Sequence, residues 1–208
     1  MSVGTHRVVG LVDYKAGNVQ SIENSFSHAG AEVVRVKHVQ DLSRCTHLVL
    51  PGVGAFGFCA EKLSATSLAP ALDEWAFAKQ RPLLGICVGM QLFADGSDES
   101  PGVRGLGWLG GQVRRFTGGP AIRVPHVGWN AVRFAHAWGG FPEGFTADFY
   151  FDHSYAYGEP RLGRAIGICN HGQQFSAIIE RDNIIAMQFH PEKSQTAGLR
   201  VIEGFLRQ

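Results

Sequence analysis

The residues with the clearest chemical promise are a cysteine, a histidine and a glutamate. Cys87 stands in "LLGICVGMQ", where an apolar run meets a glycine. "G-I-C-V-G" has the form of a nucleophile elbow, in which small neighbours permit a strained turn that exposes the side chain. A thiol at the start of a helix feels the positive end of the dipole, which favours the thiolate. The backbone N–H of Val88 would then point at any oxyanion formed on a substrate. A lone cysteine more often simply packs, and Cys45, Cys59 and Cys169 are read that way. The two glycines flanking Cys87 separate it from them.

A thiol nucleophile needs a base, and the base needs an orienting group. "MQFHPEKS" offers both, with His190 at the end of a strand pattern and Glu192 two residues on. That is the spacing at which extended side chains share a face, and Pro191 would stiffen the link. A third stretch, "LVLPGVGAF", runs a strand into Gly52 and Gly54. Such glycines let a backbone N–H turn toward a developing negative charge, and the Val53 N–H is the candidate second oxyanion donor. An ordinary tight turn explains the same glycines equally well. A phosphate-cradling loop does not, because the G-K-[ST] ending is missing.

Elements must bring these groups together. "HRVVGLVDY", "AEVVRV", "THLVLPG" and "RPLLGIC" read as strands; "NVQSIENSFSHAG" and "ALDEWAFAKQ" read as helices between them. That alternation predicts an α/β, flavodoxin-like, doubly wound and mostly parallel sheet. In such sheets ligands bind outside the carboxyl ends of strands, where Cys87 sits. "ADGSDESPGVRGLGWLGG" reads as loop. Later runs, including "PHVGWNAVRF", "DFYFDHSYAY" and "AIGICNHGQQFSAIIERDNIIAMQFH", predict an antiparallel extension of the same sheet, and "TAGLRVIEGFLRQ" a closing helix. No linker divides the chain, so one domain over 1–208 is expected.

Composition narrows the classes. The formal net charge is +1, which gives no electrostatic reason to expect nucleic acid or a membrane surface as partner. No apolar run is long enough to span a bilayer, and the first residues lack the pattern of a signal peptide. A cytoplasmic location with free thiols is expected. The chain has nine histidines. None pairs at clear zinc-ligand spacing, so no metal is expected. His6, His28, His38, His47, His136 and His171 read as structural or surface positions, and His126 and His153 stay open. Arg114, Arg115, Arg123 and Arg133 read as a solvated basic face by default.

Taken together, "G-x-C-x-G-x-Q" from Gly85 to Gln91 and "H-P-E" from His190 to Glu192 resemble the class I, triad-type glutamine amidotransferases. "DYKAGNVQSI", "PGVGAF", "VPHVGWN", "FYFDHSYA" and "QFHPEKSQTAGL" are similar to the family of glutaminase subunits of imidazole glycerol phosphate synthase. The resemblance runs from Asp13 to Leu199. Its departures are Lys15 where glycine is commoner, Val88 where leucine is usual, and Asp152 where an aliphatic is usual.

The resemblance implies a Cys87–His190–Glu192 triad that hydrolyses glutamine through a cysteinyl thioester, with Val53 and Val88 N–H groups at the oxyanion. It implies a glutamine pocket lined by Gly52, Gly54, Gln91, His153 and Ser154. It places Asn18, Trp129, Tyr150 and Lys193 at the interface with a (β/α)8-barrel cyclase subunit, near an ammonia exit. No cofactor is implied. Two readings compete: a stand-alone cysteine hydrolase on this fold, or an amidotransferase subunit serving another synthase. A non-enzymatic scaffold would leave the intact Cys–His–Glu set unexplained.

Overall fold

The structure, a computed structural model, describes residues 6–119 and 122–208. In chain order its elements are β1 (Val8–Val12), α1 (Val19–His28), β2 (Glu32–Val36), β3 (His47–Leu50), α2 (Phe56–Ser64), α3 (Leu68–Asp73), β4 (Leu83–Ile86), α4 (Val88–Gln91) and β5 (Gly96–Ser97). They continue with β6 (Gln112–Arg115), β7 (His126–Phe134), β8 (Thr146–His153), β9 (Tyr155–Tyr157), β10 (Arg164–Asn170), β11 (Gln174–Arg181), β12 (Ile184–Met187) and α5 (Gln195–Leu206). The helix expected from Ala71 is α3 followed by a wide π turn over Glu74–Ala78. The expected loop after Asp95 contains β5, which joins β6 and β9 in a small second sheet.

Nine strands form the main sheet in the order β2-β1-β3-β4-β12-β11-β10-β7-β8. The first five are mutually parallel; the pairs from β12 to β8 are antiparallel. Burial follows from this split. β1, β4 and β12 are apolar runs buried at every position, as parallel strands covered on both faces must be. β7 instead alternates, with Val132 and Phe134 inward and Val127 and Trp129 outward, because one of its faces meets solvent. α1 and α5 pack together, with Phe26 and Phe205 edge to face at 6.3 Å. Buried residues from Val9 to Leu206 form one continuous core cluster.

The position of β12 matters most. It leaves the meander to become the fifth parallel strand, so parallel ladder order 2-1-3-4-12 matches the flavodoxin-like pattern. Ile86 lies opposite Met187 in the β4–β12 ladder. The residues that follow each strand, Cys87 and Gln188 to His190, therefore emerge side by side at one edge. Among the described residues no helix is long and apolar enough to cross a membrane.

Candidate active site

At the end of β4, Cys87 takes φ +54° and ψ −113°, a conformation that L residues hold only under strain. Its N–H donates to the Met187 carbonyl at 2.8 Å. The flanking glycines do not themselves adopt positive φ. They are needed for close approach: a Cβ on Gly89 would lie 2.0 Å from the Leu50 carbonyl oxygen, and one on Gly85 2.6 Å from the Phe93 ring. The helix that follows, α4, spans only Val88–Gln91. The dipole expected to act on the thiol is thus only one turn long.

The expected base is His190. The imidazole borders the same cavity as the Cys87 thiol, and its Nδ1 lies 2.7 Å from Glu192 Oε1. Both side chains are buried, at 5% and 1% exposure. Burial opposes a charge on His190, but bonding to Cys87 and Glu192 and their negative charge outweigh it and raise the imidazole pKa to about 10. The contact forms by a route other than the one expected from the sequence. His190 is extended, but Pro191–Lys193 is a short 3-10 turn, so Glu192 curls back to the Nδ1 edge of the ring instead of sharing a strand face with it. Ser194 ties the turn down, donating from Oγ to the His190 carbonyl at 2.6 Å and accepting the Tyr150 N–H at 3.0 Å.

Beside these groups is a cavity of about 290 Å³, bordered by Gly54, Gln91, Glu99 and Ser154 as well as Cys87 and His190. The expected oxyanion donors are not free to serve it. The Val88 N–H already donates to the Gly52 carbonyl at 3.3 Å. In a trans peptide the N–H lies opposite the carbonyl, so the Val53 N–H points away from Cys87. The two-donor hole expected from the sequence is closed by one peptide plane.

Known proteins resemble this chain over nearly its whole length. A family model described as glutamine amidotransferase class-I matches residues 10–208. The HisH subunit of imidazole glycerol phosphate synthase from Rhodospirillum rubrum is 40% identical over 211 residues, covering 96% of this chain and 98% of that protein. The chain belongs to the class-I glutamine amidotransferase family, among its HisH subunits. The chloroplastic hisHF protein of Arabidopsis thaliana is 41% identical over 201 residues; the match covers 96% of this chain but 34% of that longer one. A crystal structure of a glutamine amidotransferase superposes with a TM-score of 0.76 at 18% identity, covering 96% of this chain and 97% of the other. That likeness concerns the fold.

Within this amidotransferase the remaining expected residues fall into two groups. Gly52 sits where a Cβ would lie 2.5 Å from the Gly89 nitrogen, and Gly54 takes φ +93° with open space around it. Gln91 is buried; its Nε2 donates to the Tyr155 carbonyl at 3.0 Å and to Gln188 Oε1 at 3.1 Å. Ser154 borders the cavity, and so does His153. His153, however, has both ring nitrogens engaged, with Tyr155 O at 2.8 Å and His126 Nδ1 at 3.1 Å. Its ring nitrogens are therefore not free for a ligand, though the residue lines the cavity.

Of the second group, only Lys193 borders the cavity. Trp129 and Tyr150 are cross-strand partners with rings edge to face at 6.2 Å. Lys193 reaches over Tyr150 at 5.3 Å and also borders the cavity. Asn18 is exposed at the start of α1. Of the family departures, Lys15 adopts φ +66°, which explains why glycine is commoner there; Asp152 is an exposed carboxylate at the cavity edge.

Two site residues escaped sequence reasoning. Gln188 is fully buried, with Nε2 3.9 Å from the Cys87 sulfur. Its signal was its place beside Cys87 once β12 is read as parallel to β4. Glu99 accepts the Phe56 N–H at 2.7 Å and brings a carboxylate to the cavity. It lies in a Gly-rich stretch with no periodicity to mark it.

Proposed function

We propose that Cys87, His190 and Glu192 hydrolyse glutamine to glutamate and ammonia for a (β/α)8-barrel cyclase subunit of imidazole glycerol phosphate synthase. The observation that carries this reading is a strained thiol and a buried imidazole on one cavity, with a buried carboxylate bonded to the imidazole behind it. The raised pKa of His190 favours an imidazolium beside the sulfur. The Cys87 thiolate attacks the side-chain amide carbon of glutamine, and the carbonyl electrons move to its oxygen. His190 gives its proton to the departing nitrogen, and ammonia leaves a γ-glutamyl thioester. Water then loses a proton to His190 and attacks the thioester. Glutamate departs and the thiolate–imidazolium pair is restored. Glu192 holds the imidazole by Nδ1 throughout. Gln91 and Ser154 border the glutamine pocket, and the Glu99 carboxylate suits the α-ammonium of the substrate.

The closed oxyanion peptide supports control by the partner. Rotating the Gly52–Val53 peptide would free the Val88 N–H and turn the Val53 N–H inward. One oxyanion donor is worth roughly 3 kcal/mol, or about a hundredfold in rate. The test is glutamine hydrolysis by the chain alone, with the barrel partner, and with the partner plus its phosphoribulosyl substrate. Turnover should climb in that order and vanish in Cys87→Ser. Equal turnover in all three would refute partner control; wild-type activity surviving in Cys87→Ser would refute the triad.

A further inference from the structure

The segment "PHVGWN" holds two residues that the triad does not use, His126 and Asn130. Together with His153 they form a line of hydrogen bonds ending at the glutamine pocket. Asn130 Nδ2 lies 3.0 Å from His126 Nε2, His126 Nδ1 lies 3.1 Å from His153 Nε2, and His153 Nδ1 lies 2.8 Å from the Tyr155 carbonyl oxygen. Backbone groups decide its direction at both ends. A carbonyl only accepts, so His153 Nδ1 carries the hydrogen. At the other end Asn130 Oδ1 accepts the Ala131 N–H at 2.8 Å, and Nδ2 also donates to the Asn170 carbonyl at 3.0 Å. That fixes the amide with its N–H groups toward His126. Each imidazole must then be neutral, with hydrogen on Nδ1 and an acceptor at Nε2.

We propose that Asn130 and His126 are positioning residues for the glutamine pocket, acting through His153 to fix the Tyr155 carbonyl that also receives Gln91. The assignment rests on the glutamine reading above only for the name of the ligand. An added proton anywhere along the line would set two donors face to face. His171 stacks on His126 at 4.0 Å, and positive charge on His190 disfavours the added proton further. Burial lowers both pKa values, to about 4 for His126 and about 3 for His153. The line is set on the inward face of β7, behind Val127 and Trp129 on the outward face. It gives the pocket wall a stiff backing: one oxygen, Tyr155 O, collects a bond from β8 and a bond from Gln91.

Two measurements on the full chain test this. Ring ¹⁵N NMR at neutral pH, assigned by single substitutions, should show His126 and His153 neutral and hydrogen-bearing at Nδ1. Finding either ring charged, or with its hydrogen at Nε2, would overturn the proposal. In the partner-saturated enzyme, His126→Phe keeps the ring stacked on Phe151 and His171 but breaks the line. Losing one neutral hydrogen bond to the pocket wall should raise the KM for glutamine about fivefold with kcat kept within about twofold. A folded variant with unchanged KM, or with kcat lost instead, would also overturn it. If the wild-type complex does not hydrolyse glutamine, the glutamine reading fails and the NMR result alone judges the line.

Discussion

Two histidines face one cavity, and the structure gives them opposite proton affinities. His153 is bonded so that a second proton would meet a donor, and burial pushes its pKa down to about 3. His190 meets a sulfur on one side and a carboxylate on the other, which outweigh its burial and push its pKa up to about 10. One is held neutral and the other charged at neutral pH, so only His190 suits proton delivery to a leaving amine. The raised value is also a statement about stability. Between the ordinary value of 6.5 and about 10 the folded chain keeps a proton on His190 that the unfolded chain has released. The stabilisation from this group is complete below 6.5 and fades as pH rises through that window. In Glu192→Gln the negative charge is gone, the folded pKa should fall, and the decline should shift to lower pH. Urea midpoints measured for both proteins between pH 6 and 10 would check it; parallel curves would contradict the role given to Glu192.

Among elements, the decisive contact is between the turn after β3 and the turn after β4. Gly52 and Gly89 let them meet backbone to backbone, and there the Gly52 carbonyl takes the Val88 N–H. Opening the oxyanion site means rotating one peptide by about half a turn, which carries Val53 into positive φ. A β-branched residue resists that region, at roughly 1–2 kcal/mol, and the lost hydrogen bond adds about 1 kcal/mol. Val53→Gly removes the first cost alone. It should raise partner-independent glutamine hydrolysis about tenfold while leaving the fully activated rate little changed; basal activity equal to wild type would count against the closed-peptide account. None of this was readable in "PGVG" itself, where a turn and an oxyanion loop look the same. What was legible had a local cause: the apolar runs of β1, β3 and β4, the spacing of Ile22 and Phe26 on α1, the glycines about Cys87, and the neighbours His190 and Glu192. Gln188 and the His126–His153 line were not, because their partners lie 101 and 27 residues away. Such contacts depend on β12 inserting beside β4 and on the register of β7 with β8, which no local pattern specifies.

At the scale of the whole molecule, part of the exposed apolar surface connects to the cavity rim. Val53 borders the cavity and is 38% exposed, and Val127 and Trp129 on the outer face of β7 are 54% and 48% exposed. Trp129 leans on Tyr150, Tyr150 lies under Lys193, and Lys193 reaches back to the cavity rim. A partner seated there would bury the aromatic pair and touch the lysine beside the triad, which joins docking to chemistry by direct contact. Half-exposed tryptophans in such positions carry a disproportionate share of binding energy. Trp129→Ala should therefore weaken assembly with the barrel cyclase by about 2 kcal/mol, roughly 30-fold in Kd. Because half of the ring is already in water, the thermal midpoint of the isolated chain should move little. Calorimetric titration gives the first quantity and thermal unfolding the second. A lowered midpoint with unchanged Kd would make Trp129 part of the fold and send the search for the docking face to another edge of the sheet.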